Sequence, residues 1–265
     1  KLKKMKKRIA LACIIAAGFS LLLLSGCKKL LDYIHPKPDD KGKNCRIERV
    51  TSNFANECDG DNNFSDTAWF SYNPQGNPVS VKYTFSKFYE CWSYPVDKYF
   101  KYSNSNKLVL FLNYAFASGK AALFWHKYTY ENSYLITDSM FVYAEGDWFI
   151  HDRPQNFAYV VVTTFELDYF GRVISETEGV QTQTYTYDAN GNLVKPGVTY
   201  SNKINIRQTN KVWMFLDRDY SINSPDGDAS QYNGEKLPVK LNAMPGFIYN
   251  EVFDFNDIVV KYKCK

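Results

Sequence analysis

Histidine is scarce in this chain, with three in 265 residues. His35 falls in a polar, proline-containing stretch, so His126 and His151 are the only ones left for the body. A Ser-His-Asp set would therefore need a coincidence of folding. No Gly-x-Ser-x-Gly elbow surrounds any serine, which removes the usual hydrolase nucleophile. The 14 glycines are spread singly, so no loop is built to cradle a phosphate. No Cys-x-x-Cys occurs and no histidine lies near a cysteine, which argues against zinc. No segment combines dense Lys and Arg with aromatics, so nucleic acid is not an expected partner. No cofactor is expected either.

One long apolar run is present, from Ile9 to Leu24, and it follows a basic start at Lys1 to Arg8. Basic region, apolar region and the small residues Ser25 and Gly26 have the layout of a secretory signal. The run of 16 residues is short for a full membrane span. Its end, Leu24-Ser25-Gly26-Cys27, resembles the lipobox of bacterial lipoproteins. That resemblance implies cleavage before Cys27, diacylation of its thiol and acylation of the new amine. Residues 1–26 are then a signal peptide, and 27–44 are the acylated Cys and a tether marked by Pro36, Pro38, Asp39, Asp40 and Gly42. Two acyl chains anchor stably where one is marginal. By analogy with lipoproteins retained at the inner membrane through an Asp after the Cys, Lys28 points to the outer membrane. Removing the signal takes six positive charges from a net +4 (4 − 6 = −2), so the basic character belongs to the leader.

Of the six cysteines, Cys13 lies in the signal and Cys27 is the lipid site. Cys45, Cys58, Cys91 and Cys264 remain. An even set in an oxidising compartment suggests two disulfides, with three connectivities open. The pairing we favour is Cys45–Cys264, tying the first strand to the last, with Cys58–Cys91.

Residues 45–265 read as a single, mainly β domain. Val79, Val81, Tyr83 and Phe85 alternate with Ser80, Lys82 and Thr84, the period of a strand buried on one face. The apolar runs Leu108 to Leu112 and Ala158 to Val162 predict strands covered on both faces. Ile204 and Ile206 predict a further strand, 225–238 a loop, and Ile258 to Cys264 a closing strand. Asn210 to Tyr220 is the best helix candidate, with Trp213, Leu216 and Tyr220 on one face and Thr209 or Asn210 as cap.

A recurring unit organises this body. Segments 70–79, 165–174 and 185–194 each place an aromatic first, an aliphatic or Tyr third, Asp or Asn fourth (Asn73, Asp168, Asp188) and Gly seventh (Gly76, Gly171, Gly191). The Asx side chain can start a turn, and Gly supplies positive φ without a Cβ penalty. Gly76 has no neighbouring repeat at a comparable spacing, unlike Gly171 and Gly191. The expected fold is an antiparallel meander of hairpins forming a twisted or curled sheet, with at most one or two short helices.

These units resemble YD repeats, the Tyr-Asp-x-x-Gly-Arg hairpins of Rhs-type bacterial proteins. Asp168, Gly171 and Arg172 carry the match in one copy. Tyr187, Asp188 and Gly191 carry it in another, with Asn192 in place of Arg. More of the chain is similar to small Bacteroidetes-type lipoproteins of unassigned activity, an impression strengthened by the run from Val212 to Ile222.

Candidate sites are few. His126 reads as a strand position and His151 as a turn. Glu145 and Asp147 form a carboxylate pair of the sort glycosidases use, but they flank a predicted hairpin turn at Gly146. Asp59, Asp61 and Asn63, with Asp66 beyond, space oxygen ligands as calcium prefers. Phe64 stands where such a loop needs Gly, so the acidic stretch reads as a plain loop, and Asp226-Gly-Asp228 is weaker still. Aromatics make up 17% of the chain, and Tyr94, Tyr99, Tyr102, Trp125, Tyr128, Tyr130 and Trp148 are candidates for stacking on sugars or anchoring an interface. The expectation is a lipid-anchored, non-enzymatic protein of the bacterial envelope that binds another envelope protein or serves structurally. A carbohydrate-binding module is the first alternative, and a hydrolase with paired carboxylates the second.

Overall fold

The computed structural model describes residues 45–55, 63–84, 97–117, 120–143, 157, 159–242 and 256–265. All of these lie in one compact unit, Lys41–Lys265. Ten strands follow one another along the first part of the chain. They are β1 (Cys45–Ala55), β2 (Asn63–Tyr72), β3 (Pro78–Tyr83), β4 (Lys98–Tyr102), β5 (Leu108–Ala117), β6 (Lys120–Tyr130), β7 (Leu135–Tyr143), β8 (Tyr159–Leu167), β9 (Val173–Glu178) and β10 (Gln181–Thr184). Next, β11 (Tyr200–Ile204) and β12 (Asn223–Pro225) pair with each other apart from the rest. The last three, β13 (Ala229–Tyr232), β14 (Pro238–Leu241) and β15 (Asn256–Cys264), return to the main sheet.

That sheet has 13 antiparallel strands in the order β10-β9-β8-β7-β6-β5-β4-β3-β2-β1-β15-β14-β13. It is a mainly β, open meander: each strand pairs with its neighbour in the chain, and the last strand lies against the first. Cys45 faces Cys264 across β1 and β15, and their sulfurs are 1.98 Å apart in a disulfide.

Alternation decides what the sheet buries. In β3, Val81 and Tyr83 are buried and Lys82 is exposed. The same face collects Val50, Ala68, Phe70, Phe100, Phe111, Tyr128 and Phe165 from successive strands. Such a face needs a cover, and helix α1 (Lys211–Asp217) supplies it with Val212, Trp213, Phe215 and Leu216. Asn210 caps the helix by accepting from the Val212 N–H, and Arg218 ends it in the left-handed region at φ 55°. Trp213 meets Phe70 and Phe100 edge-on, both at 5.7 Å between centroids, while Phe215 meets Tyr128 and Phe165. The helix thus crosses the sheet from β2 to β8.

Four expectations are corrected. Tyr159, Val160 and Val162 are exposed, so β8 is not covered on both faces as 158–162 predicted. Ile206 begins a 3-10 turn (Ile206–Thr209) rather than extending β11. The predicted loop 225–238 contains β13 and a tight turn into β14. Tyr220 lies beyond the helix end. Segment 185–194 does form its turn, but off the main sheet, with a single bridge between Tyr187 and Leu193.

Candidate functional site

Five turns of one design lie on one rim of the sheet. They are 73–77, 103–107, 131–135, 168–172 and 233–237, and β1 begins and β15 ends there too. Turn 188–192 repeats the design within the covering segment. In five of the six, the first residue donates its N–H to the carbonyl four residues on and accepts from the N–H three residues on. This is a type I turn closed by a residue of positive φ. Gly76, Gly171 and Gly191 hold that position at φ 89°, 75° and 78°. Asn106 and Lys236 hold it in the turns that lack Gly there, at φ 64° and 62°. Gly76 is therefore not isolated: turns 103–107 and 233–237 share its design with Asn106 and Lys236 at the positive-φ position, hidden from a search keyed on Gly.

In these five the first residue also caps the turn. Asp168 Oδ1 accepts from the N–H groups of Phe170 and Arg172, Asp188 Oδ1 from Asn190 and Asn192, and Asn233 Oδ1 from Glu235 and Leu237. Asn73 and Ser103 each accept from the N–H four residues on. The tyrosine just before the turn laces neighbouring hairpins together. Tyr102 donates to the Pro78 carbonyl, Tyr130 to Leu108, Tyr187 to Val173 and Tyr72 to Ile47, at 2.7 to 3.2 Å. Tyr262 does the same to Pro238 from β15. Burial pushes these hydroxyls up, Tyr130 to about 12 and the others further. The residue after the positive-φ position can then sit over the next unit's ring: Lys107 lies 4.7 Å from Tyr130 and Arg172 4.2 Å from Tyr187.

Two turns carry exposed aromatics at the rim. Tyr134 is 50% exposed, Tyr169 75% and Phe170 49%. The Leu167 N–H donates to the Tyr134 carbonyl at 2.8 Å, which sets these turns side by side. The rings of Tyr169 and Phe170 pack edge-on at 5.6 Å. Composition could not single these residues out, because their exposure depends on where the turns project.

Beneath the rim a buried ionic cluster ties the covering segment together. Arg207 donates through Nε to Asp217 Oδ2, and its Nη1 lies 3.9 Å from Asp219 Oδ2. Lys195 reaches Asp219 at 3.0 Å, and the Ser221 N–H donates to Asp219 Oδ1. Burial pushes the Asp217 carboxyl up to about 7 against the pull of Arg207. Asp217 Oδ1 is buried with no hydrogen-bond partner, so half of the carboxylate is desolvated without compensation. Asp219 is buried too, but Arg207, Lys195 and the bonds from Ser221 hold it below the usual carboxylate range. Arg218 spans from its own helix carbonyls to Glu176 on β9 and lies over Phe165.

On the sheet, His126 pairs through Nδ1 with Asp138 Oδ2 at 2.9 Å, its ring stacked between Phe111 and Tyr128. The strand position read for His126 is thus also a paired one. Asp138 Oδ1 is buried without a partner.

Leu24, Ser25, Gly26, Cys27, His35, Cys58, Cys91, Asp59, Asp61, Glu145, Asp147 and His151 lie outside the described residues, as do Tyr94 and Trp148. Asn63 and Asp66 fall in β2, and Asp226 in a turn where its N–H donates to Thr199. Among the described residues no group of three or more His, Cys, Asp or Glu is placed to hold a metal ion. Of the described aromatics considered for stacking on sugars, Trp125 and Tyr128 are buried, and Tyr99, Tyr102 and Tyr130 are half-buried. Compared with known proteins, the chain matches no family model and no curated protein.

Proposed function

We propose that this chain is a lipid-anchored, non-enzymatic protein of the bacterial outer membrane that binds another envelope protein through the outer face of β8. The observation that carries this is an apolar band on that face. Val160 and Val162, both pointing away from the helix-covered side, are 37% and 51% exposed. Phe157, 43% exposed, packs edge-on against Phe141 at 5.1 Å and extends the band. Exposed contiguous apolar surface of this kind marks interaction sites. Branched aliphatic side chains favour a protein partner, since a sugar face asks for flat aromatic rings beside polar groups. The buried carboxylates are spent on structure: Asp217 and Asp219 share Arg207 beneath the helix rather than opening into a cleft.

The test is a photo-crosslinking side chain at position 162 of the full chain in a diderm bacterium, with fractionation of Cys27→Ser alongside. One protein adduct of discrete mass is expected. Excess unlabelled chain should compete it away, and the same chain carrying Val160→Lys and Val162→Lys should not. Cys27→Ser should leave the membrane fraction. An absent adduct, or specific glycan binding lost with Tyr159→Ala, would replace this reading with the carbohydrate-binding one.

A further inference from the structure

We infer that the turn rim is a lipid-docking face, with Tyr134, Tyr169 and Phe170 seated among phospholipid headgroups. This rests on the acylation of Cys27 proposed above. The chain joins the sheet at Cys45, and that point lies on the rim: the Tyr72 hydroxyl, beside turn 73–77, reaches the Ile47 carbonyl two residues into β1. Residues 28–44 can span at most roughly 60 Å even when fully extended. An acylated Cys27 would therefore hold the domain near the bilayer by a tether that enters at the rim. At such proximity a contact too weak to act alone becomes significant.

The rim is suited to that surface. Its aromatics project from convex turns, and amphipathic rings gather at headgroup level. They are also held firmly, because Asn132 Oδ1 accepts from the Tyr134 N–H and Asp168 Oδ1 from the Phe170 N–H. Charges of both signs stand along the rim turns: Lys107, Arg172 and Lys236 with Glu131, Asp168 and Glu235. Attraction should then come from the rings rather than from anionic lipid, and it should survive salt. A docked rim would leave the outer face of β8 alongside the membrane and open to a partner.

The test compares photo-crosslinking side chains at positions 169 and 180 in the full chain, expressed in a diderm bacterium with radiolabelled phospholipid. Val180 is fully exposed in the turn between β9 and β10, at the far end of the strands from Tyr169. The six residues of β9 separate the two positions by roughly 20 Å, so lipid adducts at 169 should exceed those at 180 by about tenfold or more, at low and high salt alike. The N-terminal peptide mass reports acylation independently. An acylated chain with equal lipid adducts at both positions, with none at 169, or with protein or glycan adducts at 169 would overturn the docking face and leave the anchor standing. A chain unmodified at Cys27 and absent from membranes would overturn both.

Discussion

Raising the pH from 5 to 8 should weaken this fold, and Asp217 is the group responsible. Its carboxyl, ordinarily at 3.8, is pushed up to about 7 by burial despite the Arg207 guanidinium. Between those values the folded chain holds a proton that the unfolded chain has released. Stability therefore falls as pH rises through that window and levels off above it. The gap between 3.8 and about 7 corresponds to about 4 kcal/mol at most. Relaxation around the buried pair should reduce this to about 2 kcal/mol. Burial also raises Asp228, which acts in the same direction. Asp219 is held low, so its stabilisation is lost only in acid, below the ordinary carboxylate value, and the two windows do not overlap. Urea unfolding at pH 5, 6, 7 and 8 would measure the effect, with Asp217→Asn as the comparison. Asn keeps the volume and an acceptor for Arg207 Nε but cannot titrate. The series covers the upper part of that window, so the native chain should lose about 1 kcal/mol across it and the Asn variant less than half of that. A flat or rising profile, or an Asn variant that tracks the native chain, would refute the reasoning.

Three further outcomes follow from the geometry. Reducing Cys45–Cys264, which spans 219 residues, should cost about 2–5 kcal/mol and lower the calorimetric Tm. Gly191→Ala should destabilise by about 2 kcal/mol more than Gly171→Ala in chemical denaturation: both are left-handed, but a Cβ at 191 would come within 2.7 Å of Ile222 Cδ1 and at 171 would meet nothing. Tyr102→Phe leaves the Pro78 carbonyl without its donor and should cost about 1 kcal/mol, read as a shifted urea midpoint with unchanged slope.

Much of the sheet is legible in the sequence because alternation is a local property. Val81 and Tyr83 reveal the buried face of β3, and the run around Phe111 reveals a strand covered on both sides. Val160 and Val162 give the same apolar signal with the opposite outcome, since the number of covered faces is a tertiary fact. Gly flags the positive-φ position at 171 and 191, but Asn106 and Lys236 adopt it without flagging it. The helix is legible through its Asn210 cap and its apolar face. The cluster beneath it is not: Arg207, Asp217 and Asp219 meet only because Arg218 turns left-handed and folds Asp219 back. Rim aromatics escape for the same reason, as nothing in Asp168-Tyr-Phe-Gly171 says which way the turn faces.

Lacing by tyrosine turns the repeat into a rule that can be tested where the rule lapses. Each lacing hydroxyl reaches a carbonyl on the adjoining hairpin, and Tyr102, Tyr130, Tyr187 and Tyr262 all reach the first strand residue after a turn: Pro78, Leu108, Val173 and Pro238. Leu167 holds the tyrosine's place before turn 168–172, so that hairpin is unlaced through this position. By the same offset, a tyrosine at 167 should donate to the carbonyl of Ile136, the residue following turn 131–135. Leu167→Tyr alone would mix this bond with the cost of a larger ring packed against the core, which can reach about 1–3 kcal/mol. Leu167→Phe carries the ring without the hydroxyl, so the difference between the two variants isolates the bond. Tyr should be the more stable of the pair by about 1 kcal/mol in urea unfolding. If Phe equals or exceeds Tyr, the carbonyl offset is a coincidence of four hairpins, and the ladder is held by ring packing rather than by its hydroxyls.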